Sequence, residues 1–305
     1  MTEVAGAEYG AEWSATLRRG TDAELRTWVD AALAWCDATD AIALRHFRRD
    51  AQPERKPDRS FVTVADRAIE RLVRERIADA FPGHGVLGEE YGAEDGTGAS
   101  GEGSVQWYVD PIDATHNFLR GVPVFATLLG VARDGELQAA VVSAPAMRQR
   151  WYGWRGGGAW SVDSPAAGHA AGPSANDPAR RRIEVSRVAD LADAQVLYAS
   201  ATGIEDSGRA PGFRRLLGDA WRDRGFGDFW GYTLVAEGAA EAMVETDLFP
   251  WDAAAPMLLV EEAGGRVSDF AGRRSFEGGT FLATNGRLHE TIRGRLVAPP
   301  EEGAD

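Results

Sequence analysis

The chain has 305 residues, 44% hydrophobic and 26% charged, a globular composition with room for one large core or two packed lobes. Its formal net charge of -14 argues against nucleic-acid binding but not against a small anionic substrate, because bound cations invert the local field. Cys36, the sole cysteine, excludes an internal disulfide and a thiolate metal site. No apolar run reaches the ~18 residues of a membrane span, and Met1 to Gly10 lacks a signal-peptide pattern. The expectation is a soluble, cytoplasmic protein with no membrane partner.

Residues 1–20 read as a leader. From Thr21 to Arg49, Leu25, Trp28, Val29, Ala32, Leu33, Cys36, Ile42 and Phe47 recur near helical spacing behind a capping-box start at Thr21 to Glu24. A second helix is predicted from about Ala65 to Ala80, stopped by Pro82-Gly83. Val86-Leu87-Gly88 reads as a short strand entering Glu89-Glu90, and Glu94 to Gly103 as a mobile loop. Strands are expected over Gln106–Val109, Phe125–Arg133 and Leu137–Ser143, with Asp134-Gly135 as a hairpin turn. Trp151 to Trp160 adds a strand pair. The stretch 163–182, rich in Ala, Gly, Pro, Ser and Asp, divides an N-terminal lobe (21–182) from a C-terminal lobe (183–305). The second lobe reads as strand Val196–Ser200, helices Phe213–Ala220 and Phe229–Glu237, and strand Ala242–Glu245. A helix from about Asp252 to Ala263, strand Phe281–Thr284 and a short helix complete it. The mixture predicts a layered α/β (α+β) architecture.

The chemistry concentrates where Trp107-Tyr108-Val109 runs into Asp110-Pro111-Ile112-Asp113. Acids three positions apart at a strand end bind hard cations, and a helix starting after Asp113 would turn the N–H groups of Ala114 and Thr115 toward an anion. The plain alternative is a turn at Asp110-Pro111 with Asp113 as a helix cap. Glu89-Glu90 also follows an apolar strand, and adjacent acids there are costly unless solvated or metal-bound. Asp66, at a helix start, and Asp252, opening an Ala-rich helix, read equally as caps. Lys56, the only lysine, reads as a phosphate-side cation or a solvated charge. The Ser and His residues form no convincing triad, and Gly156-Gly157-Gly158 lacks the ending of a P-loop.

Taken in order, Gly88-Glu89-Glu90, Asp110-Pro111-Ile112-Asp113-x-Thr115-x-Asn117-Phe118 and Trp251-Asp252-Ala253-Ala254-Ala255 running to Gly264-Gly265 resemble the inositol-monophosphatase-like metal-dependent phosphatases. The likeness spans roughly Leu44 to Leu288 and implies an αβαβα sandwich of the sugar-phosphatase type, a metal and phosphate lobe followed by a substrate lobe. It implies that Glu89, Asp110, Asp113, Asp252 and the Ile112 carbonyl hold two or three Mg²⁺. It further implies that Glu89, Asp66 and Thr115 act on the attacking water, and that residues 113–115 hold the phosphate. Glu245 falls where the family touches the organic part of its substrate. A homodimer acting on a small phosphorylated metabolite is likewise implied.

Within that family the chain looks most like the histidinol-phosphatase branch, through Lys56-Pro57-Asp58, Phe118 to Val124, Val142 to Ala146, Arg150-Trp151, Arg155 to Trp160 and Gly227-Asp228-Phe229-Trp230. Acids such as Asp228 and Glu245 would suit the cationic histidinol; the plain reading of Asp228 is a helix cap. Alternatives are an inositol, sugar, cyclitol or nucleoside phosphate as substrate, or a relative without catalysis. Two positions depart from expectation. Ala114 replaces the family's glycine, tolerable at negative φ but crowding at positive φ. Pro256 is expected in the first turn of the Asp252 helix, where proline is acceptable.

Overall fold

The computed structural model describes residues 20–49, 53–57, 61–97, 103–163 and 174–297. The leader, much of the expected 94–103 loop and half of the 163–182 stretch therefore lie outside the described residues.

In chain order the elements are α1 (Asp22–His46), β1 (Glu54–Arg55), β2 (Phe61–Val62), α2 (Val64–Ala80), β3 (Gly85–Gly88), β4 (Gly92–Glu94), β5 (Val105–Asp113) and α3 (Thr115–Arg120). There follow β6 (Ala126–Arg133), β7 (Glu136–Ala144), β8 (Gln149–Trp154), β9 (Gly158–Asp163) and β10 (Arg181–Ile183). The C-terminal part contains β11 (Gln195–Tyr198), α4 (Ala201–Asp206), α5 (Ala210–Asp219), β12 (Arg222–Arg224), α6 (Asp228–Ala236) and β13 (Ala242–Leu248). It closes with α7 (Pro250–Glu262), β14 (Arg266–Ser268), β15 (Gly279–Thr284) and α8 (His289–Val297).

An eight-stranded sheet runs β10-β9-β8-β7-β6-β5-β3-β4, and a five-stranded sheet runs β12-β11-β13-β15-β14. Helices α1 and α2 pack on one face of the large sheet, α7 on its strands β5 to β8 and also on β14 and β15, and α8 on β15. Three apolar clusters fill the spaces between these layers. The result is the expected αβαβα sandwich.

Local chemistry accounts for most boundaries. Thr21 caps α1, its hydroxyl accepting from the Glu24 N–H at 3.2 Å. Asp134 and Gly135 both take positive φ (51° and 80°), the turn that matches strand twist between β6 and β7. Alanines 253–255 are fully buried and let α7 approach the large sheet closely: a Cβ on Gly130 would lie 2.7 Å from the Ala254 Cβ.

Three features differ from the sequence expectation. Strand β5 does not stop at Val109 but continues through Pro111 to Asp113, with its register against β6 shifting between Asp110 and Asp113. Such a bulge is one of the few places a strand accepts proline. Helix α7 starts two residues before Asp252, so Pro256 lies beyond the first turn and leaves the Asp252 carbonyl without its helical donor. The edge strands β4, β10, β12 and β14, three residues each, have too few positions to show an alternation.

Candidate active site

A cleft of about 170 Å³ opens among the ends of β3, β5, α3, α6, β13 and α7. Seven carboxylates line it: Glu89, Asp110, Asp113, Asp228, Glu245, Asp247 and Asp252, with Ile112, Ala114 and Thr115 between them. Residues far apart in sequence thus reach one place. Asp66 is not on the lining; it is buried in the first turn of α2, near enough to feel the charges of Glu89 and Glu90.

Two backbone irregularities aim the acids. The β5 bulge carries Asp110 and Asp113, and the Thr127 hydroxyl steadies it by donating to the Pro111 carbonyl at 2.9 Å. A second register shift lies between Glu245 and Leu248 of β13, where Glu245 and Asp247 both line the cleft and Asp247 takes φ 66°. Ala114 sits at φ 64°, the case in which an added methyl is strained. Asp228 also has positive φ (57°), and it is not the cap of α6: Gly227 takes that position. The N–H of Phe229 instead donates to Asp113 Oδ2 at 2.6 Å, joining β5 to α6.

The other cap readings resolve similarly. Asp66 closes a capping box in which its Oδ2 accepts from the Thr63 N–H at 2.9 Å, while its buried Oδ1 has no partner. Asp252 accepts from the Phe249 N–H at 2.8 Å. Each therefore serves its helix with one oxygen. Thr115 donates to the Ile112 carbonyl at 3.0 Å.

Burial dominates the electrostatics. It raises the pKa of Asp110 and Asp113 well above the usual carboxylate range, with neighbouring acids adding to the effect. It lifts Asp66 and Asp252 to about 7 each. Glu245 rises to about 8, although the Tyr232 hydroxyl donates to it. Among the described residues, His116 lies beside Asp228, and a lysine faces the cluster at one edge. There Lys56 Nζ lies 2.8 Å from Glu89 Oε1 and 2.6 Å from Glu90 Oε1. Lys56 is thus a site-facing cation and not a solvated one.

Some contributors carried no sequence signal. Glu70, fully buried, accepts from the N–H groups of Glu90 (2.7 Å) and Tyr91 (3.2 Å) and pairs with Arg74 at 2.8 Å. It shapes the turn that presents Glu89, and Gly88 must lack a side chain because a Cβ would lie 2.1 Å from Glu70 Oε1. Tyr232 and Asp247 read as ordinary helix and strand residues until the fold brings them together.

The donor set suits a hard cation, being all oxygen, and Asp110 Oδ1 is buried without a hydrogen-bond partner. As the side chains stand, among the described residues no three Asp, Glu, His or Cys side chains form a group that could hold a metal ion. Asp113, Asp252 and Glu89 are turned to Phe229, Phe249 and Lys56 respectively.

The sequence profile of the inositol monophosphatase family matches residues 24–299. The chain belongs to the inositol monophosphatase family. It is therefore a phosphoric monoester hydrolase of a metal-dependent family. Among its relatives, the histidinol-phosphatase of Streptomyces coelicolor is 40% identical over 265 residues, covering 85% of this chain and 93% of the relative. The histidinol-phosphatase of Mycobacterium tuberculosis is 41% identical over 268 residues, covering 88% and 96%. Among solved structures, the Thermotoga maritima IMPase superposes with a TM-score of 0.74 at 26% identity, over 88% of this chain and 96% of that one. No helix among the described residues is long and apolar enough to cross a membrane.

Proposed function

We propose that this phosphatase hydrolyses L-histidinol phosphate to L-histidinol and phosphate, as a cytoplasmic homodimer using two or three Mg²⁺ per site. The observation that carries the reading is the excess of acids in the cleft. Beyond Glu89, Asp110, Asp113 and Asp252, which would hold the metal with the Ile112 carbonyl, it contains Asp228, Glu245 and Asp247 beside Phe229 and Tyr232. Acids next to aromatic rings suit a leaving alcohol with an ammonium group and an imidazole. The histidinol-phosphatases similar to this chain support the same substrate.

When bound, Mg²⁺ supplies Lewis acidity, neutralising phosphate charge, acidifying water and stabilising the leaving alkoxide. The chain's own residues do the rest. Glu89 accepts the proton of the attacking water, the Thr115 hydroxyl, anchored on the Ile112 carbonyl, helps to activate it, and Asp66, buried behind Glu89, orients it. The N–H groups at 114 and 115 and the Asp113 side chain position the phosphate, while Asp228 and Glu245 bind the organic part. The 21–182 segment supplies the metal and phosphate groups and the 183–305 segment the substrate acids, with Asp252 returning on α7. The described part of the large sheet includes β10, so its last strand straddles this division.

A second reading, hydrolysis of an inositol, sugar or nucleoside phosphate, is favoured by one observation, the left-handed backbone at Ala114. Phosphate release with Mg²⁺ from histidinol phosphate, inositol 1-phosphate, sugar phosphates and nucleotides separates the two. Strong preference for histidinol phosphate is expected; a clear winner elsewhere would overturn the substrate and leave the hydrolase intact. Sedimentation equilibrium tests the dimer.

A further inference from the structure

A second cavity, of about 370 Å³, adjoins the cleft at His116, which lines both. Its character is the opposite. The cleft has seven carboxylates, whereas the described lining of this cavity has none and contains Arg48, Arg49, Arg120, His46 and His116 over an apolar floor that includes Phe61. In a chain with 47 acids against 33 basic residues, a cavity whose described lining has three arginines and no acid is a local reversal of charge. Residues at the end of α1, on β2 and on α3 build it, so it is assembled by the fold and is not a run of neighbouring bases.

Arg48 is held in place: its Nε donates to the Gly121 carbonyl at 3.0 Å and its guanidinium lies 5.0 Å from the Phe47 ring centroid. Arg49 and Arg120 are exposed and, among the described residues, neither forms an ion pair. Phe61 meets His116 edge to face at 5.5 Å. One fixed guanidinium, two that can close, and an aromatic wall are the parts needed to grip an anionic head and cover an apolar body.

We propose that this cavity binds a small organic anion, a phosphate or carboxylate group on an aromatic or aliphatic body, separately from the catalytic cleft. His116 is the shared wall and faces Asp228 electrostatically, so an occupant would touch a side chain that borders the substrate.

The two sites can be told apart by removing metal. In EDTA the carboxylate cleft repels anions, while the arginine cavity does not. Isothermal titration of the full-length protein in EDTA with benzylphosphonate is expected to give saturable one-to-one binding that weakens with salt. The double variant Arg49→Ala/Arg120→Ala should bind about tenfold or more weakly, the loss of charge-assisted contacts, and retain Mg²⁺-dependent phosphate release. Asp113→Asn should leave this binding unchanged. Benzoate binding with the same arginine dependence supports the site equally and makes a carboxylate the head group. No binding in EDTA, equal binding by wild type and the double variant, or equal binding of neutral benzyl alcohol would each overturn the proposal.

Discussion

Ala114 has a left-handed backbone, φ 64° and ψ 46°, where an L-residue other than glycine is strained by about 1–2 kcal/mol. Glycine removes that strain but returns about 0.4–1 kcal/mol of freedom to the unfolded chain. Ala114→Gly is therefore expected to raise the melting temperature slightly and to keep or increase phosphatase activity. A lower melting temperature would show that the strain is not borne at this residue. Asp113 makes the opposite trade. Its carboxylate is crowded by Asp228 and Asp252, so Asp113→Asn should stabilise the metal-free protein, by about 2–4 °C for each kcal/mol of repulsion relieved. The same change should lower Mg²⁺-dependent turnover by about a hundredfold or more, as loss of one preorganised charge at a reacting centre does. Melts in EDTA beside phosphate-release assays measure both arms.

At the scale of elements, the site depends on α7 lying close to the large sheet. Gly130 on β6 permits this, since a Cβ there would meet the Ala254 Cβ at 2.7 Å and the Ala255 backbone nitrogen at 3.2 Å. Gly130→Val should destabilise the protein by about 1–3 kcal/mol, the cost of overpacking, and displace the helix that carries Asp252. Differential scanning calorimetry reads the first effect, and a weaker Mg²⁺ dependence of activity the second. Unchanged metal dependence in a destabilised variant would separate packing from metal binding. The two bulges have a comparable role. A regular strand puts residues three apart on opposite faces, so the register shift in β5 lets Asp110 and Asp113 reach one cleft; Glu245 and Asp247, two apart on β13, share a face and reach it beside the second shift.

For the whole molecule, burial of acids without metal makes stability pH-dependent. Asp66 and Asp252 at about 7 and Glu245 at about 8 hold protons in the folded state that the unfolded chain has released. Their stabilisation is present below the ordinary carboxylate range and is lost as pH rises through about 7–8. His289 acts from the other side. Buried between the Ser268 and Thr284 hydroxyls, it has a pKa lowered to about 4, so stability falls as pH drops from the unfolded value of 6.5 toward 4. Between about pH 4.5 and 6.5 the three raised carboxylates outweigh the one histidine, so the metal-free protein should melt highest near about pH 5 and less well as pH rises. It should lose stability by pH 8, and Mg²⁺ should reverse that alkaline loss by binding the charged carboxylates. Equal melting temperatures at pH 6 and pH 8 in EDTA would contradict the raised values. His289→Asn should steepen the fall in stability between pH 4 and 6, and an unchanged slope would remove histidine as an opposing contribution.

Much of this was legible from residues alone. The helical spacing of Leu25 to Phe47, the Asp134-Gly135 turn and the apolar runs on either side of it need only local physics, and they gave α1, β6 and β7 nearly to the residue. The ordered acids Glu89, Asp110, Asp113 and Asp252 stood out at strand ends and a helix start, and the fold brings all four to one cleft. Local patterns could not show what each acid touches. Asp66 and Asp252 proved to cap their helices, Asp252 also lining the cleft and Asp66 buried behind it, Lys56 turned inward to Glu89 and Glu90, and Asp228 gave its cap role to Gly227. The arginine cavity draws on three separate elements and has no linear motif. The sequence by itself determined the periodicities, the turn chemistry and the order of the acids, since these depend on neighbours within a few positions. Tertiary structure decided burial, the bulges and the meeting of distant charges, because dielectric and distance depend on what the rest of the chain places around each group.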